Sequence, residues 1–379
     1  MRKEERSLVG NIKHASGKYG GFSFGGCQPD GVQVHNPLKK GIEFPNGAKS
    51  ALLLTFDVEG NYGNGTGSED LEIENYERIS TRLKDNGVPA TFNIVGKMIE
   101  DRGPDFVRRM LDSGSEIAPH GYVHDLNKRH GGDMVYAGHY GPVENKLQVN
   151  DGIQAIEKEF PDTVKGYRLP YGHFNEYSYD AIEEAGLQWT SHVGIEDLIH
   201  PGNGYGTQPF QIGLGDKIYK LVEIPLDSQT FDWSIWMANE KTDKSFVDAV
   251  RAYCQSRKIH LERTPECGLA IWRQRMFEAI ENQSVFTLLC HPINLAVKSE
   301  ALRDPLEQFL FPAIDLLGEL NHSKKAWVCT CTQIAEFYKK VQARLFMATS
   351  KALKFVLKHL HPATLIARAV VFKAAPFLV

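Results

Sequence analysis

The sequence predicts an α/β protein, built as a closed or nearly closed barrel of about seven parallel strands. Three observations predict it. Short apolar runs alternate with stretches of helical spacing from residue 51 to about residue 340. The first run, Ala51–Val58, is apolar almost throughout, which suits a strand covered on both faces. Several runs end in acids, histidine or arginine, the residues that barrels carry at the C-terminal ends of their strands.

The elements follow in order. Ala51–Val58 is a buried strand, Gly60–Gly67 a Gly/Asn loop, and Asn75–Asn86 a helix that stops before Gly87. Strands are predicted at Ala90–Val95, Glu116–Ala118, Gly166–Arg168, Gln188–Ser191, Leu221–Ile224, Val285–Cys290 and Trp327–Cys329. Helices are predicted at Asp105–Ser113, Val149–Phe160, Ser178–Ala185, Ser245–Ser256, Leu269–Gln283, Asp304–Leu320 and Thr332–Val341. Right-handed crossovers between parallel strands follow from this alternation. Three segments result: a lead-in over 1–49, rich in Gly and Lys; the barrel over 50–340; and a basic amphipathic helical tail over 341–379.

Length and composition agree. A chain of 379 residues, 42% hydrophobic and 24% charged, has room for one large barrel with extensions. A net charge of −4 points away from a nucleic-acid partner. Six cysteines occur, at 27, 254, 267, 290, 329 and 331, with no Cys-x-x-Cys pair, so buried reduced thiols are expected. The opening stretch is basic and lacks an apolar h-region, and no run of about 18 uncharged apolar residues occurs. A cytoplasmic protein is the expectation.

Five stretches carry chemistry. In Thr55-Phe56-Asp57-Val58-Glu59-Gly60, strand alternation puts Asp57 and Glu59 on one face and Val58 on the other. Two adjacent carboxylates need a cation or a shared proton, although two solvated loop acids would also fit this stretch alone. In Pro119-His120-Gly121-Tyr122-Val123-His124-Asp125, two histidines four apart would share one face of a helical turn. Paired imidazoles beside a carboxylate make an open site for zinc or a similar divalent ion. With 14 histidines in the chain, a chance surface pair is the plainer reading of the spacing.

In Arg168-Leu169-Pro170-Tyr171-Gly172, an arginine at a strand end can hold a carboxylate before a turn. In the fourth stretch, Glu223 to Trp233, another strand ends in Asp227, Asp232 and Trp233. Trp233 could stack on a sugar ring or fill the core. The fifth, Leu289-Cys290-His291-Pro292, ends an apolar strand in His291. Each feature alone has a structural explanation; together, and in this order, they describe one catalytic rim.

From about Ser50 to Lys340 these motifs resemble the polysaccharide deacetylase, or NodB-homology, family. Asp57 with Glu59 would stand for its acidic strand end, His120 with His124 for its His-x-x-x-His pair, and Arg168 with Pro170 for its Arg-x-Pro turn. Asp232 with Trp233 would stand for its Asp/Trp motif, and Leu289 with His291 for its Leu-x-His strand end. The resemblance implies a distorted (β/α) barrel, one divalent metal, and hydrolysis of N-acetyl groups on sugars. Two departures stand out. The acidic motif has Val58 where the family has a second aspartate, and the Asp/Trp motif is displaced, which leaves Asp227 and Asp232 interchangeable.

The expected roles follow. Glu59, His120 and His124 hold the ion, Zn²⁺ first among candidates. Asp57 is the general base, oriented by Arg168, and the roles of Asp57 and Glu59 could be exchanged. His291 is the general acid, oriented by Asp232 or Asp227. Tyr171, Pro170 and Trp233 line the substrate site, with an oxyanion donor near Tyr171.

Other readings are an amidohydrolase opening a cyclic ureide or imide, which the acid-x-acid strand end favours, and a non-catalytic carbohydrate-binding barrel. In the tail, Lys340, Arg344, Lys351, Lys354 and Lys358 recur at helical spacing beside an apolar face. Contact with the cytoplasmic face of a membrane is expected, with packing on the barrel or on a second subunit as the alternative. A carbohydrate or lipid-linked amino sugar is then the expected substrate.

Overall fold

The computed structural model describes residues 32–63, 67–124, 140–172, 174–191, 208–226, 232, 235, 244–262, 264–296 and 304–359. The chain divides into two compact units, Met1–Ile334 and Ala335–Val379.

In the first unit the strand β2 (Ala51–Val58) is buried at all eight positions, as its apolar run requires. Along one edge it pairs in parallel with β10 (Val285–Cys290), from Val285↔Ala51 to Cys290↔Phe56. It also pairs in parallel with β11 (Trp327–Val328) at Ala51 and Leu52, and with β3 (Thr91–Ile94) from Thr55 to Val58. β4 (Glu116–Pro119) continues the sheet beyond β3. A second parallel sheet joins β5 (Gly166–Arg168), β6 (Trp189–Ser191) and β9 (Val222–Glu223). The parallel strands thus form a five-stranded and a three-stranded sheet, where about seven in one ring were expected. This is the distorted form of the barrel.

Side-chain size fixes the β5–β6 contact. A Cβ at Gly166 would lie 1.9 Å from the Trp189 ring, so only glycine lets that indole cross the strand. Between β2 and β3, Phe56 and Phe92 stack with ring centroids 4.6 Å apart.

Helices cover the sheets. α1 (Glu69–Asn86) begins where the Ser68 hydroxyl accepts from the Leu71 N–H, and ends at Gly87 in a left-handed conformation, φ 61°. Three acids in its first turn oppose the helix dipole. Its buried face carries Tyr76, Ile79 and Leu83; each aliphatic side chain contributes about 1.5–3 kcal/mol by leaving water. α2 (Gly96–Arg102), α3 (Asp105–Asp112) and α4 (Pro142–Glu157) follow, then α5 (Glu176–Glu184), which starts in an Asn175/Ser178 capping box. α6 (Lys244–Arg257), α7 (Pro265–Glu281) and α8 (Phe311–His322) complete the cover.

Several expectations need correction. Part of the lead-in is strand: β1 (Val32–His35) pairs antiparallel with β7 (Gln211–Leu214), which pairs with β8 (Lys217–Ile218). The helix expected over Asp304–Leu320 opens with a wide turn at Leu306–Leu310 before α8. The helix expected to end at Val341 runs on as α9 (Cys331–His359), because no Gly or Pro interrupts it. In the second unit, the residues 343–349 of this helix are all exposed.

Candidate active site

The strand register assembles the site. Asp57 of β2 lies opposite Asn93 of β3, which lies opposite Ala118 of β4. The next residues along these strands, Glu59 and His120, therefore emerge together at the C-terminal rim. Val58 points the other way and is fully buried in the core cluster. The alternation read from the sequence is correct, and Glu59 rather than Val58 faces the histidines.

His120 and His124 do come together, with ring centroids 4.9 Å apart, but no helical turn joins them. Gly121 takes φ 76°, a turn residue pressed against Gly152 of α4, whose Cβ would lie 3.1 Å from the Gly121 carbonyl. The buried Gln148 side chain replaces the helical hydrogen bonds. Its Oε1 accepts the Tyr122 and Val123 N–H groups at 2.8 and 3.2 Å, and its Nε2 donates to the Val123 carbonyl.

Glu59 is the centre of the cluster. Its Oε1 lies 3.1 Å from His124 Nε2, 3.4 Å from His120 Nε2 and 3.6 Å from His291 Nε2. Gly63 makes room for it, since a Cβ there would lie 1.6 Å from Glu59 Oε2. Burial pushes the Glu59 carboxyl up, and the surrounding imidazoles of His124, His120 and His291 outweigh it, holding the group well below the carboxylate range.

These residues fit a divalent ion. One ligand atom from each of Glu59, His120 and His124 lies within 4.8 Å of the others. His120 Nδ1 faces the Arg168 carbonyl at 3.0 Å, and since a carbonyl only accepts, that nitrogen carries the proton. Its Nε2 then presents a lone pair to a carboxylate oxygen, an arrangement that a cation between them relieves. Among the described residues, His120 Nε2 and both ring nitrogens of His124 are buried without a hydrogen-bond partner. One carboxylate and two imidazoles with open positions beside them are a donor set for zinc or a similar ion.

Two further groups flank this cluster. Asp57 accepts from Arg168 Nη1 at 3.2 Å and from Asn93 Nδ2 at 2.9 Å, and its Oδ2 lies 3.8 Å from His120 Nε2. Arg168 is a fully buried guanidinium. On the other side Asp232 accepts from His291 Nδ1 at 2.7 Å, from the His291 N–H at 2.8 Å and from Asn294 Nδ2 at 3.2 Å. Burial lowers the His291 imidazolium, but the charge of Asp232, its hydrogen bond, and the charges of Glu59 and Asp57 together raise its pKa to about 10.

Pro170 is buried, and Tyr171 sits beside the pair, its ring edge-on to His124 at 4.3 Å between centroids. Tyr171 holds φ 57°, a left-handed conformation that a bulky residue keeps only where its surroundings impose it.

Nine of the predicted residues thus meet at one rim: Asp57, Glu59, His120, His124, Arg168, Pro170, Tyr171, Asp232 and His291. Asp227 and Trp233 lie outside the described residues. Sequence reasoning missed Asn93 and Asn294, whose signals were a lone amide inside the apolar run Ala90–Val95 and an amide three residues after His291. It also missed Glu72 of α1. This carboxyl is buried, accepts from the Tyr76 hydroxyl at 2.5 Å, and is raised to about 8 by burial, against that hydrogen bond and with the repulsion of Glu59 and Glu69.

Comparison with known proteins bears on this arrangement. Residues 45–190 match the sequence profile of the family Polysaccharide deacetylase. The match covers less than half of the chain. A chitooligosaccharide deacetylase of Sinorhizobium fredii is 31% identical over 124 residues, covering 32% of this chain and 52% of the relative. The chain therefore spans about half the length of that curated relative. Among solved structures, a polysaccharide deacetylase candidate from Mycobacterium smegmatis superposes with a TM-score of 0.59 at 20% identity, covering 82% of this chain and 96% of its own. Another from Pseudomonas aeruginosa PAO1 gives 0.53 at 15% identity, covering 79% and 93%. At those identities they establish the distorted α/β barrel fold.

Proposed function

We propose that this polysaccharide deacetylase domain is a metal-dependent hydrolase that removes an N-acetyl group from an amino sugar. The observation that carries the reading is the convergence of Glu59, His120 and His124 with the Asp57–Arg168 pair and the His291–Asp232 pair. A carboxylate base and a cationic acid beside a metal-ligand cluster suit the hydrolysis of an unactivated amide.

Glu59, His120 and His124 would hold the ion, with Zn²⁺ the first candidate. A bound divalent ion supplies Lewis-acid polarisation and lowers the pKa of water toward ~7. Asp57 takes a proton from the attacking water as its oxygen bonds to the amide carbon. Arg168 and Asn93 fix the Asp57 carboxylate for this transfer. His291, protonated and with Nδ1 tied to Asp232, gives its Nε2 proton to the leaving nitrogen. The C–N bond breaks, leaving acetate and a free amine. Tyr171 lines the substrate side against His124.

The substrate class rests on the chitooligosaccharide deacetylases among its relatives. The test is acetate release from N-acetylglucosamine oligomers by purified protein loaded in turn with zinc, cobalt or manganese. Metal-dependent acetate release is expected. Opening of a cyclic ureide without acetate release would replace this reading with the ureide hydrolase.

A further inference from the structure

We propose that the helix α9, beyond Glu336, docks on an anionic lipid bilayer. This inference concerns a different part of the chain from the hydrolytic site and stands or falls independently of it.

After Glu336 the sequence contains eight Lys or Arg residues and no Asp or Glu. Lys340 lies 3.8 Å from Glu336, which is the last acid in the sequence. The chain is a single uninterrupted helix from Cys331 to His359, so residue spacing converts directly into angular position. At about 100° per residue, Lys340, Arg344, Lys351, Lys354 and Lys358 fall within an arc of about 80°. Val341, Leu345, Phe346, Ala348, Ala352, Leu353, Phe355, Val356 and Leu357 fall within a complementary arc of about 200°.

The helix surface is open over residues 343–349. Residues 343–349 are exposed on every face, with Leu345 at 42%, Phe346 at 56% and Met347 at 54%. Large apolar side chains at that exposure are a surface in want of a cover. Charge decides among covers. Pairing two copies of this helix would cover the apolar arc and leave the cations on the outer faces with no anion to meet them. An anionic bilayer answers both arcs at once, acyl chains receiving the apolar side and phosphates the lysines. Among the described residues no helix is long and apolar enough to cross a membrane, so the helix would lie in the interface.

The test is co-sedimentation of the full chain with vesicles of phosphatidylcholine alone or with added phosphatidylglycerol. The variant Lys340→Gln/Arg344→Gln/Lys351→Gln/Lys354→Gln/Lys358→Gln removes the charge; Leu345→Ser/Phe346→Ser weakens the apolar arc. Circular dichroism confirms that each variant folds. The expected result is binding at least about tenfold stronger to the anionic vesicles, lost near 0.5 M salt and in the five-fold Gln variant, and weakened in the Ser variant. Equal binding to both vesicles, binding that ignores salt, or no binding overturns the proposal. So does a dimer in sedimentation velocity that the Ser variant abolishes while vesicle binding is absent.

Discussion

Asp232 grips His291 twice: one carboxylate oxygen takes the ring Nδ1–H at 2.7 Å and the other takes the backbone N–H at 2.8 Å. The ring can therefore neither flip nor swing, and its Nε2 is left facing Glu59 at 3.6 Å.

Replacing Asp232 by Asn should release that proton. In metal-stripped protein the His291 pKa of about 10 should fall to the ordinary imidazole range near 6.5 or below, read by NMR titration of its ring protons. The raised value means that the pair stabilises the fold fully below pH ~6.5 and loses that contribution as pH rises through about 10. The difference in stability between wild type and D232N should thus be largest in acid. Deacetylation should drop by about 10²–10⁴-fold. An unchanged His291 titration would break the pairing argument.

On the proposed roles, substitutions should separate ligands from base. His120→Ala, His124→Ala and Glu59→Gln should each lose the ion on dialysis, measured by elemental analysis. Asp57→Asn should keep the ion and lose turnover by about 10²-fold or more. If Asp57→Asn sheds the ion and Glu59→Gln retains it, the two carboxylates exchange roles.

Asn93→Ala tests support of the base. The Asp57 carboxylate would lose one of its two side-chain donors and keep Arg168. A fall in kcat of roughly tenfold with KM little changed is expected, alongside about 1–3 kcal/mol of stability lost from a buried hydrogen bond. Stability loss with full kcat would leave Asn93 a structural residue only.

Glu72→Gln should change the pH profile of unfolding. The folded pKa of about 8 exceeds the free carboxyl value of 4.5, so wild-type stability should decline as pH rises from about 4.5 to about 8. The variant should lack that decline and gain most relative to wild type above pH 8. Denaturant midpoints at pH 5 and pH 9 decide it; parallel shifts at both would show that Glu72 does not titrate there.

Much of this was legible because strands announce themselves locally. Val285–Cys290 was bounded correctly to the residue, and the acid-x-acid strand end placed Glu59 on its face by alternation alone. What stayed hidden was set by contacts distant in sequence. Gln148, over twenty residues downstream, decides that His120–His124 is a turn and not a helix. Asn93 matters only because the β2–β3 register puts it across from Asp57. The strand within the lead-in is fixed by a partner at Gln211–Leu214, a pairing no local pattern reveals. The link between Asp232 and His291 came from space too, through a hydrogen bond that sequence order does not reveal.

The position of β2 bears on how the chain can be divided and assembled. The family-profile match spans residues 45–190, yet one whole edge of β2 is bonded to residues 285–290. A fragment ending at 190 would retain every proposed metal ligand while baring six residues of apolar strand edge, an invitation to intermolecular strand addition. The same pairing joins segments more than 200 residues apart, so during synthesis the first barrel strand must wait, sheltered or at risk, for one made much later.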